Sequence, residues 1–240
     1  MTTLVVGASG ATGRLLVEHL LNRGEHVRVI IRSEASLPDS IRQHVNLSIT
    51  QASISEMSDA ELAQHITGCD AVASCLGHNL SFKGIYGQPR RLVADTVRRI
   101  CSVISDNAPD KPVKYVLMNT TGNKNRDLSE QTSFSHNAVV SLLRLLLPPH
   151  VDNEQAADYL RRKIGQNHPL IQWAAVRPDG LTDATSVSEY ELHRSPIRDP
   201  IFNAGTTSRI NVAHFMADLI TDDEQWQRWQ GQMPVIYNRD

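Results

Sequence analysis

LVVGASGATGR, residues 4–14, is an apolar run that gives way to three glycines, Gly7, Gly10 and Gly13, with nothing bulkier than threonine between them. A chain keeps such a turn almost free of side chains for one of two reasons. Either a strand has to bend tightly into a helix, or a group such as a phosphate has to approach the backbone closely. Upstream, TLVVG reads as a strand. Downstream, ATGRLLVEHLLNRG has helical periodicity and a stop at Gly24. No Gly-Lys-Ser/Thr follows at the offset a P-loop requires, so that phosphate-binding turn is excluded.

The same alternation recurs along the chain. HVRVIIR and NLSITQA read as the second and third strands, DAVASCLG as the fourth, VKYVLMNTTG as the fifth and IQWAAVRP as the sixth. Between them, SDAELAQHITG reads as a helix with Ser58 at its N-cap, acids in its first turn and a stop at Gly68. PRRLVADTVRRICSVISDN and DNEQAADYLRRKIGQ read as longer helices, and MPVIYN as a final edge strand. Strands alternating with helices of this length imply right-handed crossovers. The fold class is therefore α/β, a Rossmann-like doubly wound parallel sheet with helices on both faces and a small C-terminal substrate lobe. With no linker or repeat, residues 1–240 are expected to form one domain, its substrate pocket built mainly from 123–150 and 178–210.

Composition narrows the function. The net charge of −2 gives no electrostatic case for nucleic acid or an anionic membrane, and no apolar run reaches bilayer length. No signal peptide is read at the N-terminus. Cys69, Cys75 and Cys101, odd in number and without ligand spacing, read as reduced thiols of a cytoplasmic protein, with no metal site. A small-molecule partner and a monomeric or homodimeric state are expected.

In an open α/β sheet, ligands sit outside the carboxyl ends of the strands, where strand order reverses. Gly7, Gly10 and Gly13, with Ser9, Ala11 and Thr12 between them, occupy that place after the first strand. They form a G-x-x-G-x-x-G variant of the dinucleotide fingerprint. About twenty residues on, NAD sites carry a carboxylate for the ribose 2′-hydroxyl, whereas NADP sites place an arginine nearby. Here Arg32 ends the second strand with Ser33 beside it, so NADP(H) is favoured over NAD(H). The other strand ends add Ser53 and Ile54 at the adenine, Leu76 and Gly77 at the ribose and pyrophosphate, and Thr120 and Thr121 at the nicotinamide. Arg177 and Pro178, ending the sixth strand, complete the candidate cofactor residues.

Taken together, VVGASGATGRLLVEHLLNRGEHVRVIIRS, NTTG, and DNEQAADYLRR leading to AAVRPDGLTD resemble the atypical short-chain dehydrogenase/reductases. Within them the NmrA-like and biliverdin-reductase-B/flavin-reductase-like proteins are the nearest group. The resemblance implies an NADP(H) preference and a substrate pocket in the C-terminal third. It also implies a catalytic Tyr-x-x-x-Lys, and Tyr159 and Lys163 match that pattern. They lie too close to Arg177, however. Counting back from that strand end puts the expected pair at His150 and Glu154, neither of which is the right residue. Thr121, at the family's strand-five hydroxyl position, is the better catalytic candidate, with Tyr159 set aside.

Three readings follow from the resemblance. The first is an NADPH-dependent oxidoreductase passing hydride to a flavin, quinone or carbonyl compound. The second is a non-catalytic NADP(H)-sensing regulator of NmrA-like type, and the third a nucleotide-sugar epimerase or dehydratase. Asp152 and Asn153 read as the N-cap of their own helix, and AVVSLLRLLLPP as a helix packed on the core or, alternatively, as an apolar wall over the nicotinamide pocket or a partner surface. His136 and His150 read as polar surface residues. Arg90, Arg91, Arg98 and Arg99 read as a solvated face.

Overall fold

The computed structural model describes residues 1–78, 87–128, 130 and 134–239, with the side chains of 35 and 134–137 outside it. The strands are β1 (Thr2–Val6), β2 (His26–Ile31), β3 (Leu47–Gln51), β4 (Ala71–Ser74), β5 (Val113–Met118) and β6 (Ile171–Pro178). Four more follow in the C-terminal third: β7 (Gly180–Thr182), β8 (Tyr190–His193), β9 (Thr206–Ser208) and β10 (Val235–Asn238). Eight of them form one sheet in the order β3-β2-β1-β4-β5-β6-β10-β8, and β7 pairs with β9 in a separate ribbon. The large sheet is parallel except where β8 runs antiparallel to β10. The final strand is thus interior, not the expected edge, because β8 returns from the C-terminal lobe and takes the outer place.

The helices are α1 (Ala11–Asn22), α2 (Asp39–Arg42), α3 (Asp59–Ile66), α4 (Leu92–Asn107), α5 (Phe134–Leu146), α6 (Pro148–Tyr159), α7 (Arg209–Thr221) and α8 (Asp223–Trp229). Alternation along β1 shows how they cover both faces. Leu4 and Val6 point into a core shared with Leu62 of α3 and with Val97, Ile100 and Ile104 of α4. Val5 points the other way, against Leu16, Val17 and Leu20 of α1 and Phe215 and Leu219 of α7. Each such burial stabilises the fold by about 1.5–3 kcal/mol.

Two helices depart from expectation. α6 begins at Pro148 instead of Asp152; a proline in the first helical turn forfeits no intrahelical bond. α5 buries Val140 but leaves Leu142, Leu145 and Leu146 exposed, so much of its apolar surface faces outward instead of packing on the core. Among the described residues no helix is long and apolar enough to cross a membrane.

Register sets the site. Val6 lies opposite Ile30 and Ser74, Ser74 opposite Leu117, and Ile31 opposite Gln51. Gly7, Arg32, Ala52, Cys75 and Asn119 therefore leave the sheet along one edge, and strand order reverses at β1.

Candidate cofactor site

Gly7 turns out of β1 at φ +77°, a conformation that favours glycine. A Cβ there would lie 2.5 Å from the Cys75 carbonyl carbon and 2.7 Å from the Leu76 nitrogen. One on Gly13 would lie 2.2 Å from the Gly7 oxygen, so only glycine lets α1 start directly against β1. Gly10 occupies the N-cap, its N–H bonded to the Gly7 carbonyl at 3.0 Å. Among the described residues no side chain caps this helix, and its first turn holds no acid. The amides of Ala11, Thr12 and Gly13 thus lack intrahelical partners at the positive end of the helix dipole, an arrangement that fits a diphosphate.

A cavity of about 270 Å³ opens beside this turn. Gly7, Ser9 and Gly10 form its inner end, and Cys75, Leu76, Gly77 and His78 its floor. Arg32 and the run from Ala52 to Ser55 form the other end, and Pro89 and Leu92 close a side. Arg32 is exposed, and among the described residues no carboxylate pairs with it. Ser33, also exposed, starts the short turn after β2. Ser53 and Ser55 hydroxyls lie 3.0 Å apart. Arg99 fixes this loop from below, donating to the Ile54 carbonyl at 2.8 Å and the Met57 carbonyl at 2.6 Å, and pairing with Asp59. One arginine of the basic helix thus shapes the site instead of simply meeting solvent.

At the end of β5 the polar groups are tied to one another. Thr121 donates its hydroxyl to Asp179 at 3.1 Å and its N–H to the Pro178 carbonyl at 3.1 Å. Burial pushes the Asp179 carboxyl up, while the Gly205 N–H and the Thr121 hydroxyl pull it down. Thr120 accepts from the Gly122 N–H at 3.2 Å, and Asn119 donates to the Asn153 carbonyl of α6 at 3.1 Å. The structure thus gathers Gly7, Ser9, Gly10, Arg32, Ser53, Ile54, Leu76 and Gly77 around one cavity. Ala11, Thr12 and Gly13 lie behind it in the first turn of α1.

Arg177 does not belong there. It is fully buried, and all five of its N–H donors are used within the protein. They go to the carbonyls of Met233, Asn123 and Arg194 and to both oxygens of Glu130. A guanidinium without water around it must be paired in this way, so Arg177 clamps the chain after β5 to the C-terminal lobe. Tyr159, at the far end of α6, packs against the core, and burial raises its phenol. Lys163 is exposed one turn beyond.

Asp152 does not cap its own helix. It is buried, and its carboxylate accepts the Val93 and Ala94 N–H groups at 2.8 and 2.9 Å, capping α4. The His78 Nε2 lies 2.8 Å from the same carboxylate. No local pattern announces that contact, since 74 residues separate the two. Burial pushes the Cys69 thiol up to about 11 and those of Cys75 and Cys101 to about 12, so none is a thiolate near neutrality. The His136 side chain and residues 129 and 131–133 of the expected pocket segment lie outside the described residues.

A family model for NAD(P)H-binding proteins matches residues 7–223, from the first glycine of the cradle to the start of α8. The chain belongs to the NAD(P)H-binding family. Solved structures share its fold. The oxidoreductase YlbE of Lactococcus lactis is 16% identical, with a TM-score of 0.70 over 100% of this chain and 92% of that one. A short-chain dehydrogenase/reductase of Veillonella parvula in complex with NADP is 15% identical, TM-score 0.70, covering 99% and 94%. The anaerobillin reductase ChuY of Escherichia coli O157:H7 is 14% identical, TM-score 0.68, covering 100% and 98%. No curated protein matches the chain. The NAD(P)H-binding family agrees with the atypical short-chain dehydrogenase/reductase resemblance read from the residues.

Proposed function

We propose that this protein is an NADPH-dependent oxidoreductase that transfers hydride to a small acceptor, a flavin, a quinone or a carbonyl compound. The observation that carries the reading is Arg32, a guanidinium without a carboxylate partner among the described residues, at the end of β2 in the same cavity as the start of α1, which no described side chain caps. In this reading the α1 amides with Gly7 and Gly10 hold the diphosphate. Arg32 and Ser33 hold the 2′-phosphate, with Ser53 beside Ile54 at the adenine, and a carboxylate at Arg32 would repel the phosphate. Ile54 walls the adenine, Leu76 and Gly77 flank the ribose, and Thr120 and Thr121 bound the nicotinamide end. The cofactor supplies the hydride; the chain supplies binding, orientation and exclusion of water. Residues 1–240 act as one domain, with the acceptor held by segments within 123–150 and 178–210.

Titration calorimetry on wild-type protein and Arg32→Asp tests this. NADPH affinity is expected to fall by about 30-fold or more and NADH affinity by about threefold or less, the loss of one charge-assisted phosphate contact. NADPH oxidation with aldehyde, quinone and flavin panels is expected to reveal an acceptor. Equal losses for both nucleotides, or no nucleotide binding at all, would mean that the adenosine end is misread.

The exposed Leu142, Leu145 and Leu146 on α5 favour one second reading, an NADP(H)-sensing regulator that docks a protein partner through this face. It predicts partner capture that depends on NADP(H); capture indifferent to the nucleotide removes it.

A further inference from the structure

His150 sits in the first turn of α6, its ring against the backbone that follows β5. A Cβ built on Gly122 would lie 3.6 Å from its Cε1, 3.9 Å from its Nδ1 and 3.7 Å from the Thr120 Oγ1, so ring and hydroxyl border one spot. The other ring nitrogen turns inward. Nε2 is buried, has no hydrogen-bond partner among the described residues and lies 3.7 Å from the Glu154 Oε1. Glu154 is gripped in turn by Arg144 of α5, whose Nε and Nη2 donate to its two oxygens at 2.9 and 2.7 Å.

The helix turn that carries His150 is fixed on both sides. Asn119 of the β5 end donates to the Asn153 carbonyl, and Asp152 holds the start of α4 and His78. The imidazole thus stands at the C-terminal end of β5, with its Cε1–Nδ1 side bordering Gly122 and its Nε2 beside a carboxylate.

We propose that His150 is the proton-carrying catalytic residue of this site, positioned by Glu154, and that the acceptor is a carbonyl compound. The inference rests on the nicotinamide-dependent reading above. In the step it describes, hydride from the reduced nicotinamide forms a C–H bond at the carbonyl carbon, and the C=O π pair moves to the oxygen. The proton on Nδ1 of the His150 imidazolium completes the alcohol, and water restores that proton. Glu154 faces Nε2 and favours the charged ring. Among the described residues, the charged groups facing His150 are Glu154 on its own helix and Arg144 on α5, while the β5 side brings Thr120 and Gly122. Burial lowers the His150 pKa from the usual 6.5, Glu154 raises it and Arg144 lowers it, and the first effect prevails.

Imidazole NMR on the labelled protein, from about pH 4.5 to about pH 8, is the readout that needs no turnover. His150 signals, assigned with His150→Gln, are expected to titrate below 6.5, to titrate lower still in Glu154→Gln, and to move on saturation with NADP+. Signals that ignore NADP+ shown by calorimetry to be bound overturn the proposal. In the NADPH assay, His150→Gln is expected to keep nucleotide affinity within about twofold while losing about 100-fold in kcat on aldehydes, the scale of a lost proton donor. The wild-type rate is expected to fall as pH rises through the His150 pKa, and this limb to be absent in the variant. Undiminished turnover by His150→Gln overturns the proposal. So does a protein that reduces flavin but no carbonyl, which leaves the oxidoreductase reading standing. Failure to bind any nicotinamide nucleotide removes that reading and this inference with it.

Discussion

Three helices start at the same edge of the sheet, and they treat their exposed amides differently. α3 begins with a reciprocal capping box: the Ser58 hydroxyl accepts the Glu61 N–H at 3.2 Å, and Glu61 accepts the Ser58 N–H at 2.8 Å. α4 borrows its cap from elsewhere, the buried carboxylate of Asp152. α1 has Gly10 at its N-cap and, among the described residues, no cap from a side chain. Every helix start has amides to satisfy, and satisfying them locally is worth about 1 kcal/mol. At α3 and α4 side chains do so. Where Gly7 and Gly13 also bring backbone to backbone, the chain leaves the donors open. On the nicotinamide-dependent reading proposed above, the α1 start is where the diphosphate sits, whatever the acceptor proves to be.

The most direct way to break the contrast is to give α1 a cap. Gly10 has extended backbone angles that any residue adopts, and a Cβ there would meet only the Gly7 oxygen, at 3.2 Å. Gly10→Asp would place a carboxylate over the open amides, with only a small shift of the Gly7 carbonyl needed to admit the Cβ. Free-protein stability is expected to hold or rise slightly, since aspartate is a good N-cap. Nicotinamide-nucleotide affinity is expected to fall by about 100-fold, because juxtaposed like charges cost several kcal/mol. Thermal melts and calorimetry on the same preparation measure both. Unchanged affinity would show that the diphosphate lies elsewhere.

The converse experiment removes a cap that already exists. Ser58→Ala is expected to lower the melting temperature by about 2–4 °C, the equivalent of one lost helix cap in a chain of this size. Nucleotide affinity is expected to stay within experimental error, because the box serves only α3. A coupled loss of affinity would mean that α3 helps to shape the adenine end through Ile54 and Met57, which Arg99 ties to α4.

The comparison also explains what the sequence could disclose. Strand alternation, the glycine spacing, the Ser58 cap and the Arg32 position are local patterns, and each is decided within a few residues. The Asp152 cap on α4, the Arg177–Glu130 clamp and the His150–Gly122 contact join segments far apart in the chain. Asp152 followed by Asn153 carries the local signature of a cap for its own helix, and only the packing of α6 against α4 sends its carboxylate to the other one. Arg177 ends a strand at the cofactor edge, as a ligand-binding arginine does. Whether such a side chain turns outward or inward depends on a carboxylate 47 residues earlier. The interior position of β10 likewise depends on β8, whose short sequence, YELH, has little strand character of its own.

The smallest effect concerns the opposite end of α1, where no ligand is expected and the polar groups answer to folding alone. His19 packs edge-on against His214 of α7, ring centroids 5.4 Å apart, and its buried Nε2 has no hydrogen-bond partner among the described residues. Burial lowers its pKa first, with His214 and Arg23 adding to the shift and a hydrogen bond to the Ile210 backbone and Asp218 opposing it. A histidine whose folded pKa lies below its unfolded value binds protons preferentially in the unfolded chain, so its linkage destabilises the fold as pH falls through 6.5. Melting temperature is therefore expected to drop between about pH 7.5 and about pH 5.5, and His19→Gln to flatten that slope. Asp218, whose carboxyl is held down by His214 and Arg23 against its burial, contributes in the same direction only at lower pH, as protonation approaches the carboxylate range. An acid slope unchanged by His19→Gln would assign the loss to other groups and leave the α1–α7 contact electrostatically neutral.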